Sequence, residues 1–148
     1  VTARTRADRA RASRPGAAEL MRVANAARRQ SYAPYSRFTV GAALLTRGGR
    51  VIAASNVENS SYGLSICAER AAVFKAISEG ERDFVAIAVT GPAGRAAQPC
   101  GSCRQVLHEF APGLIVHFRG AGGRTLTRSL DQLLPHAFDF DHKTGGRS

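Results

Sequence analysis

Tryptophan is absent from this chain of 148 residues, methionine occurs once and cysteine three times. No apolar run approaches the roughly 18–20 residues that span a bilayer, and the first residues lack the apolar core of a signal peptide. Secretion and membrane insertion are therefore set aside, and a cytoplasmic protein is expected. A chain of this length buries a full core without disulfide staples. Three cysteines cannot all pair with one another, so their clustering reads as metal or redox chemistry in a reducing compartment. Acidic side chains are also scarce: 11 Asp and Glu face 21 Lys and Arg, a formal net charge of +10. Such a balance raises the question of nucleic acid, and its distribution answers it. Arg4, Arg6, Arg9, Arg11 and Arg14 stand against Asp8 alone in a stretch almost without large apolar residues. The remaining charge is scattered, with no basic stripe interleaved with aromatics. Residues 1–16 are expected to be a solvated, disordered Arg-rich tail, residues 17–140 a single domain and residues 141–148 a C-terminal tail. Neither nucleic acid nor membrane is an expected partner.

Periodicity begins at Ala17. Ala17, Leu20, Met21, Ala24 and Ala27 recur on one helical face, and Pro34 ends the element. Residues 38–46 suit a largely buried strand; Gly48-Gly49 turns the chain into a returning strand over 50–56. A polar loop follows. Cys67, Ala71, Phe74 and Ile77 then mark a helical face, closed by Gly80 where a left-handed cap is common. Residues 84–90 read as a strand, 91–98 as a loop, and 99–110 as a helix with Val106, Leu107 and Phe110 inward. Strands over 114–119 and 124–128 are joined by four residues rich in glycine, too short a link for a parallel pair, so they are antiparallel. A short helix over 130–134 stops at Pro135. This order predicts a three-layer α/β/α fold around a mixed five-stranded sheet, with the ligand site where helices begin at strand ends.

The cysteines fall there. Cys67 opens one helix, and Cys100 and Cys103 open another. Three thiolates hold zinc at about 2.3 Å each and leave a fourth tetrahedral position free, the arrangement of a catalytic metal. Two helix N-termini aimed at one point favour thiolate. Glu69, two residues past Cys67, need not be a ligand and can serve as the proton-handling group. A lone Cys-x-x-Cys is shared with structural zinc sites and with disulfide exchange. Here the third cysteine, the glutamate beside it, and the Pro99 and Arg104 that flank the pair favour catalytic zinc. His108, His117, His136 and His142 have no metal-like spacing to the cysteines and read as surface or core residues. Arg70 and Arg104 are expected to donate to the sulfurs and withdraw the excess charge of a three-thiolate site.

Taken together, Ala33-Pro34-Tyr35-Ser36-Arg37-Phe38-Thr39-Val40-Gly41-Ala42-Ala43-Leu44-Leu45, Asn56-Val57-Glu58-Asn59, Cys67-Ala68-Glu69-Arg70, Pro99-Cys100-Gly101-Ser102-Cys103-Arg104-Gln105 and Leu133-Leu134-Pro135 resemble the small homotetrameric, three-cysteine zinc cytidine deaminases over residues 17–140. The resemblance implies one Zn²⁺ per chain on Cys67, Cys100 and Cys103. It implies hydrolysis of cytidine and deoxycytidine to uridine and deoxyuridine plus ammonia, by zinc-bound hydroxide with Glu69 as proton shuttle. Asn56 and Glu58 would hold the ribose 3′-hydroxyl, Phe38 would pack on the base, and the backbone N–H of Ala68 would meet the pyrimidine carbonyl. Ser60, Ser61 and Tyr62 resemble a segment lent to a neighbouring subunit's pocket, and Phe138 an aromatic that reaches across. Active sites would then lie at the contacts of a homotetramer.

Three rivals are weighed. A deaminase of a nucleoside antibiotic of the blasticidin type shares the zinc residues, but the ribose clamp with Glu58 argues against it. Polynucleotide deaminases generally pair their last strands in parallel through a helix, which the glycine link forbids. A non-catalytic zinc module would have no use for Glu69.

Overall fold

The computed structural model describes residues 14–140. Nearly all of the expected N-terminal tail, and the C-terminal tail with His142, fall outside the described residues. Helix α1 (Ala17–Ala27) turns Leu20, Met21 and Ala24 inward and tightens into a 3-10 turn at Arg28–Gln30 before Pro34 is reached. Strands β1 (Gly41–Thr46) and β2 (Val51–Ser55) form the expected antiparallel hairpin. Helix α2 (Ala68–Ser78) returns the chain to β3 (Phe84–Thr90), antiparallel to β1. Helix α3 (Gly101–Phe110) carries it to β4 (Ile115–Arg119), parallel to β3. Strand β5 (Thr125–Ser129) pairs antiparallel with β4, as the short link requires, and the single turn α4 (Leu130–Leu133) follows under a Ser129–Gln132 capping box. The sheet order is β2-β1-β3-β4-β5.

Both faces of the sheet are covered. Ala42 and Leu44 point into the core shared with α2 and α3, while Ala43 and Leu45 point into a second core with Leu20, Met21 and Ala24 of α1. That double burial is why β1 reads as an unbroken apolar run rather than an alternation.

Two local expectations are corrected. Strand β1 begins at Gly41, not Phe38, because a side chain takes ladder positions of 38–40: Asn56 Nδ2 donates to the Phe38 carbonyl at 2.9 Å and the Val40 N–H donates to Asn56 Oδ1 at 2.8 Å, while the Val40 carbonyl accepts from the Asn56 backbone N–H at 3.1 Å. The inward face of α2 is also displaced by about one residue from the expected one. Ala68, Glu69, Ala72, Val73 and Ala76 are buried, and Phe74 is 47% exposed. Small residues and a carboxylate occupy the inner face, so apolarity alone pointed to the wrong side.

The α1–β1 contact is close. A Cβ on Gly41 would lie 1.9 Å from the Ala24 carbonyl oxygen and 2.7 Å from the Arg28 nitrogen, both backbone atoms that cannot swing aside. Gly41→Ala is therefore expected to destabilise the fold by about 3 kcal/mol through overpacking. Gly48→Ala, whose Cβ would meet only Thr46 Oγ1 at 3.7 Å, should leave the urea midpoint within the small range of surface changes.

Candidate metal and catalytic site

The two helices that carry the cysteines start at the same end of the sheet. Cys67 is the N-cap of α2 and Cys100 the N-cap of α3, both in extended backbone, and Cys103 sits in the first turn of α3 with its side chain buried. Cys67 and Cys100 Sγ are 4.0 Å apart, Cys100 and Cys103 Sγ 3.5 Å, and all three sulfurs lie within 4.8 Å of one another. Sulfurs bound tetrahedrally at about 2.3 Å to one zinc ion stand about 3.8 Å apart, so this donor set fits a single metal ion. No histidine or carboxylate among the described residues joins the cluster.

The thiols share protons unequally. Hydrogen bonding from Cys103 draws the Cys67 pKa down to about 5 against the opposing effect of burial, and Arg70 assists; Cys103 is pushed up by that same contact, by burial and by the nearby Glu69 charge. Arg70 reaches the cluster as expected, its guanidinium donating to Cys67 Sγ at 3.5 Å. Arg104 does not. Its Nε donates to the Pro99 carbonyl at 2.8 Å and its Nη1 to the Leu133 carbonyl at 2.7 Å, so it braces the backbone entering Cys100 and ties α3 to α4.

Glu69 is only 4% exposed. Burial, with a contribution from the neighbouring Cys67 charge, raises its carboxyl to a pKa of about 7. It shares a cleft of about 290 Å³ with Cys67, Cys100, Phe38, Asn56, Ser36, Val40, Val89, Ala97 and Gln98. Ala68 is the first residue of α2, where a backbone N–H has no partner within the helix. Glu58 instead lines an adjoining pocket of about 270 Å³ with Tyr35, Ser36, Tyr62 and Ser65. Its carboxylate accepts from the Ser36 hydroxyl and from the backbone N–H groups of Tyr35 (2.9 Å) and Ser36 (3.2 Å), and the hydroxyl contact above all holds its pKa below the usual range. Ser36 borders both pockets.

The structure thus gathers Cys67, Cys100, Glu69, Phe38 and Asn56 at one cleft, with the buried Cys103 sulfur against that of Cys100, and sets Glu58 and Tyr62 beside it. Ser60, Ser61 and Phe138 line neither pocket, and Tyr62 and Phe138 are 75% and 71% exposed. Ser36, Val89 and Gln98 were missed as site residues. Ser36 was within reach, since it lies two positions before Phe38 in a segment already singled out; Val89 looks like any core residue of a buried strand.

Residues 16–118 match the family model of the cytidine and deoxycytidylate deaminase zinc-binding region. The chain belongs to the zinc-dependent cytidine deaminase family. It is 51% identical over 120 residues to the cytidine deaminase of Halalkalibacterium halodurans, covering 80% of this chain and 91% of that one. The crystal structure of cytidine deaminase from Burkholderia pseudomallei superposes with a TM-score of 0.76 at 49% identity, covering 80% of this chain and 96% of that chain. A blasticidin-S deaminase of Bacillus cereus is more distant, 32% identical over 104 residues, 65% of this chain and 74% of that protein.

The raised Glu69 pKa carries a stability consequence in this family member. Between its ordinary value of 4.5 and about 7, the folded chain binds the carboxyl proton more tightly than the unfolded chain. Stability from this group therefore falls as pH rises through that window, to a plateau cost of about 3 kcal/mol. In chelator-treated, reduced protein, Glu69→Gln is expected to exceed the parent in urea-unfolding free energy by about that amount at pH 8, with the gap closing below pH 5. Equal pH dependence in the two proteins would contradict the assignment.

Proposed function

We propose that this chain hydrolyses cytidine and deoxycytidine to uridine and deoxyuridine with release of ammonia. The observation that carries the reading is one cleft in which a three-sulfur metal cluster adjoins a buried glutamate whose proton affinity lies near neutrality. Cys67, Cys100 and Cys103 would hold one Zn²⁺. When bound, the ion supplies the Lewis acidity that brings a water's pKa toward 7.

The chain's own residues do the rest. Glu69 takes a proton from the attacking water and delivers it to N3 of the ring as C4 gains its oxygen; it then takes the second proton from the new C4 hydroxyl and gives it to the amine, which leaves as ammonia as the C4 carbonyl forms. A carboxylate buried in the cleft can accept a proton from water and return it to the substrate. The Phe38 ring packs against the base, and the N–H of Ala68 donates to the pyrimidine carbonyl. Asn56 has three of its four hydrogen-bonding positions committed, to the Phe38 carbonyl, the Val40 N–H and the Ser31 hydroxyl, which leaves one amide hydrogen to donate to a ribose hydroxyl. Glu58, held by Ser36 and Tyr35, accepts from the 3′-hydroxyl. Arg70 tempers the charge on Cys67. Arg104 acts through the backbone that carries Cys100.

The reading extends to a cytoplasmic homotetramer. No helix among the described residues is long and apolar enough to cross a membrane. Tyr32, Tyr35, Val57, Tyr62, Leu64, Phe138 and Phe140 are large apolar side chains left exposed, the kind of surface that a subunit contact covers. Ser60, Ser61 and Tyr62 would be lent to a neighbour's pocket, with Phe138 reaching across. Light scattering is expected to return the mass of four chains, and a monomer active at nanomolar concentration would refute that part.

The activity is tested by the absorbance change of cytidine and deoxycytidine with purified protein. Turnover of both is expected, with about one zinc per chain. Glu69→Gln should keep the zinc and lose at least ~10²–10⁴-fold in kcat. Zinc without nucleoside turnover would shift the reading to an antibiotic or polynucleotide substrate.

A further inference from the structure

Phe38 is held at two levels. Its backbone is fixed: the N–H donates to Ser36 Oγ at 3.0 Å and the carbonyl accepts from Asn56 Nδ2 at 2.9 Å. Its ring is bounded by the loop between β3 and α3. Gly91, at the base of that loop, approaches so closely that a Cβ there would lie 3.3 Å from Phe38 Cζ and 2.8 Å from Ala97 Cβ. Further out, the Arg95 guanidinium carbon lies 4.5 Å from the ring centroid, a cation–π contact.

Arg95 is the one charged residue of the stretch 91–98, and the backbone places it. Its N–H donates to the Pro92 carbonyl at 3.1 Å, and Gly94 has φ +75°, which closes a type II turn over 92–95 with glycine where positive φ is required. The far end of the loop is pinned by the Ala97 N–H on the Arg119 carbonyl at 2.8 Å. Among the described residues no carboxylate pairs with Arg95. The same loop reaches the cleft: Ala97 and Gln98 line it together with Phe38.

We infer that Arg95 is a positioning residue of the cleft, its guanidinium covering one face of the Phe38 ring so that the remaining ring surface is presented to the pyrimidine base in a fixed orientation. Resting on the deaminase reading above, the inference adds a residue that fixes ground-state affinity for the base without touching the reacting atoms. The β3–α3 loop thereby becomes a wall of the cleft, with its turn at Gly94 setting where the cation stands.

Steady-state kinetics with cytidine test it. Arg95→Ala should raise KM about two- to fivefold, the scale of an exposed cation–π contact, with kcat unchanged. Arg95→Lys should restore most of the loss. In a Phe38→Leu background Arg95→Ala should have no further effect, since the ring through which it acts is gone. A KM equal to the parent's, or the same increase with Phe38 absent, would overturn the inference. A substrate-independent measurement accompanies it: the ¹⁹F resonance of 4-fluorophenylalanine at position 38, assigned by its loss in Phe38→Leu, should move in Arg95→Ala and return toward the parent's position in Arg95→Lys. An unmoved resonance overturns the inference even if the parent proves inactive on cytidine. Inactivity of the zinc-loaded parent, with the resonance shifted as expected, would instead count against the deaminase reading alone.

Discussion

The convergence of two helix N-termini on one point governs the rest of this structure. Sulfur atoms can stand about 4 Å apart only if the chain segments that carry them enter the site from the same end of the sheet. Placing β3 beside both β1 and β4 achieves this: α2 leads into β3 and α3 leads out of it, so Cys67 and Cys100 meet across the strand's C-terminal end. The parallel β3–β4 pair follows from the same demand, because α3 must cross over the sheet to complete the unit.

Burial of Glu69 depends on the composition of α2. Ala68, Ala72 and Ala76 give its inner face almost no bulk, so the helix packs closely on the sheet and carries a carboxylate into a nearly water-free position. Desolvation then sets the acid's proton affinity. Asn56 couples this core to the substrate side, since its amide bonds the Phe38 carbonyl and the Val40 N–H in place of a neighbouring strand and leaves those residues to form the cleft wall rather than a longer β1.

These features were unequally legible in the sequence. The strand over 84–90, the hairpin, the antiparallel last pair and the start of the helix with Cys100 and Cys103 were readable because each rests on a local signal: β-branched content, paired glycines, a link too short to cross over, a proline ahead of the helix. The inner face of α2 was not, since alanine is nearly neutral to any apolar periodicity and Phe74, the largest apolar residue there, faces outward. Arg104 was misjudged for a related reason. Its adjacency to Cys103 said nothing of the Leu133 carbonyl, 29 positions away, that claims one of its donors. Arg95 over Phe38 joins two segments that no local pattern links.

The electrostatics of the cleft explain why such a site is built for a cation. The Cys67 charge raises the Glu69 proton affinity, the Glu69 charge raises that of Cys103, and both cysteines are partly desolvated. Each anionic group thus works against the others, and among the described residues Arg70 is the cation whose bond to a sulfur offsets them. A divalent ion among three sulfurs would reverse these couplings together: it would favour thiolate at Cys103 as well as Cys67 and draw the glutamate toward its ionised form, so that loading the site would release protons. The fold therefore holds in place a set of mutually repelling groups whose common remedy is the metal, and the burial that makes the set costly is the same burial that tunes the acid for proton transfer.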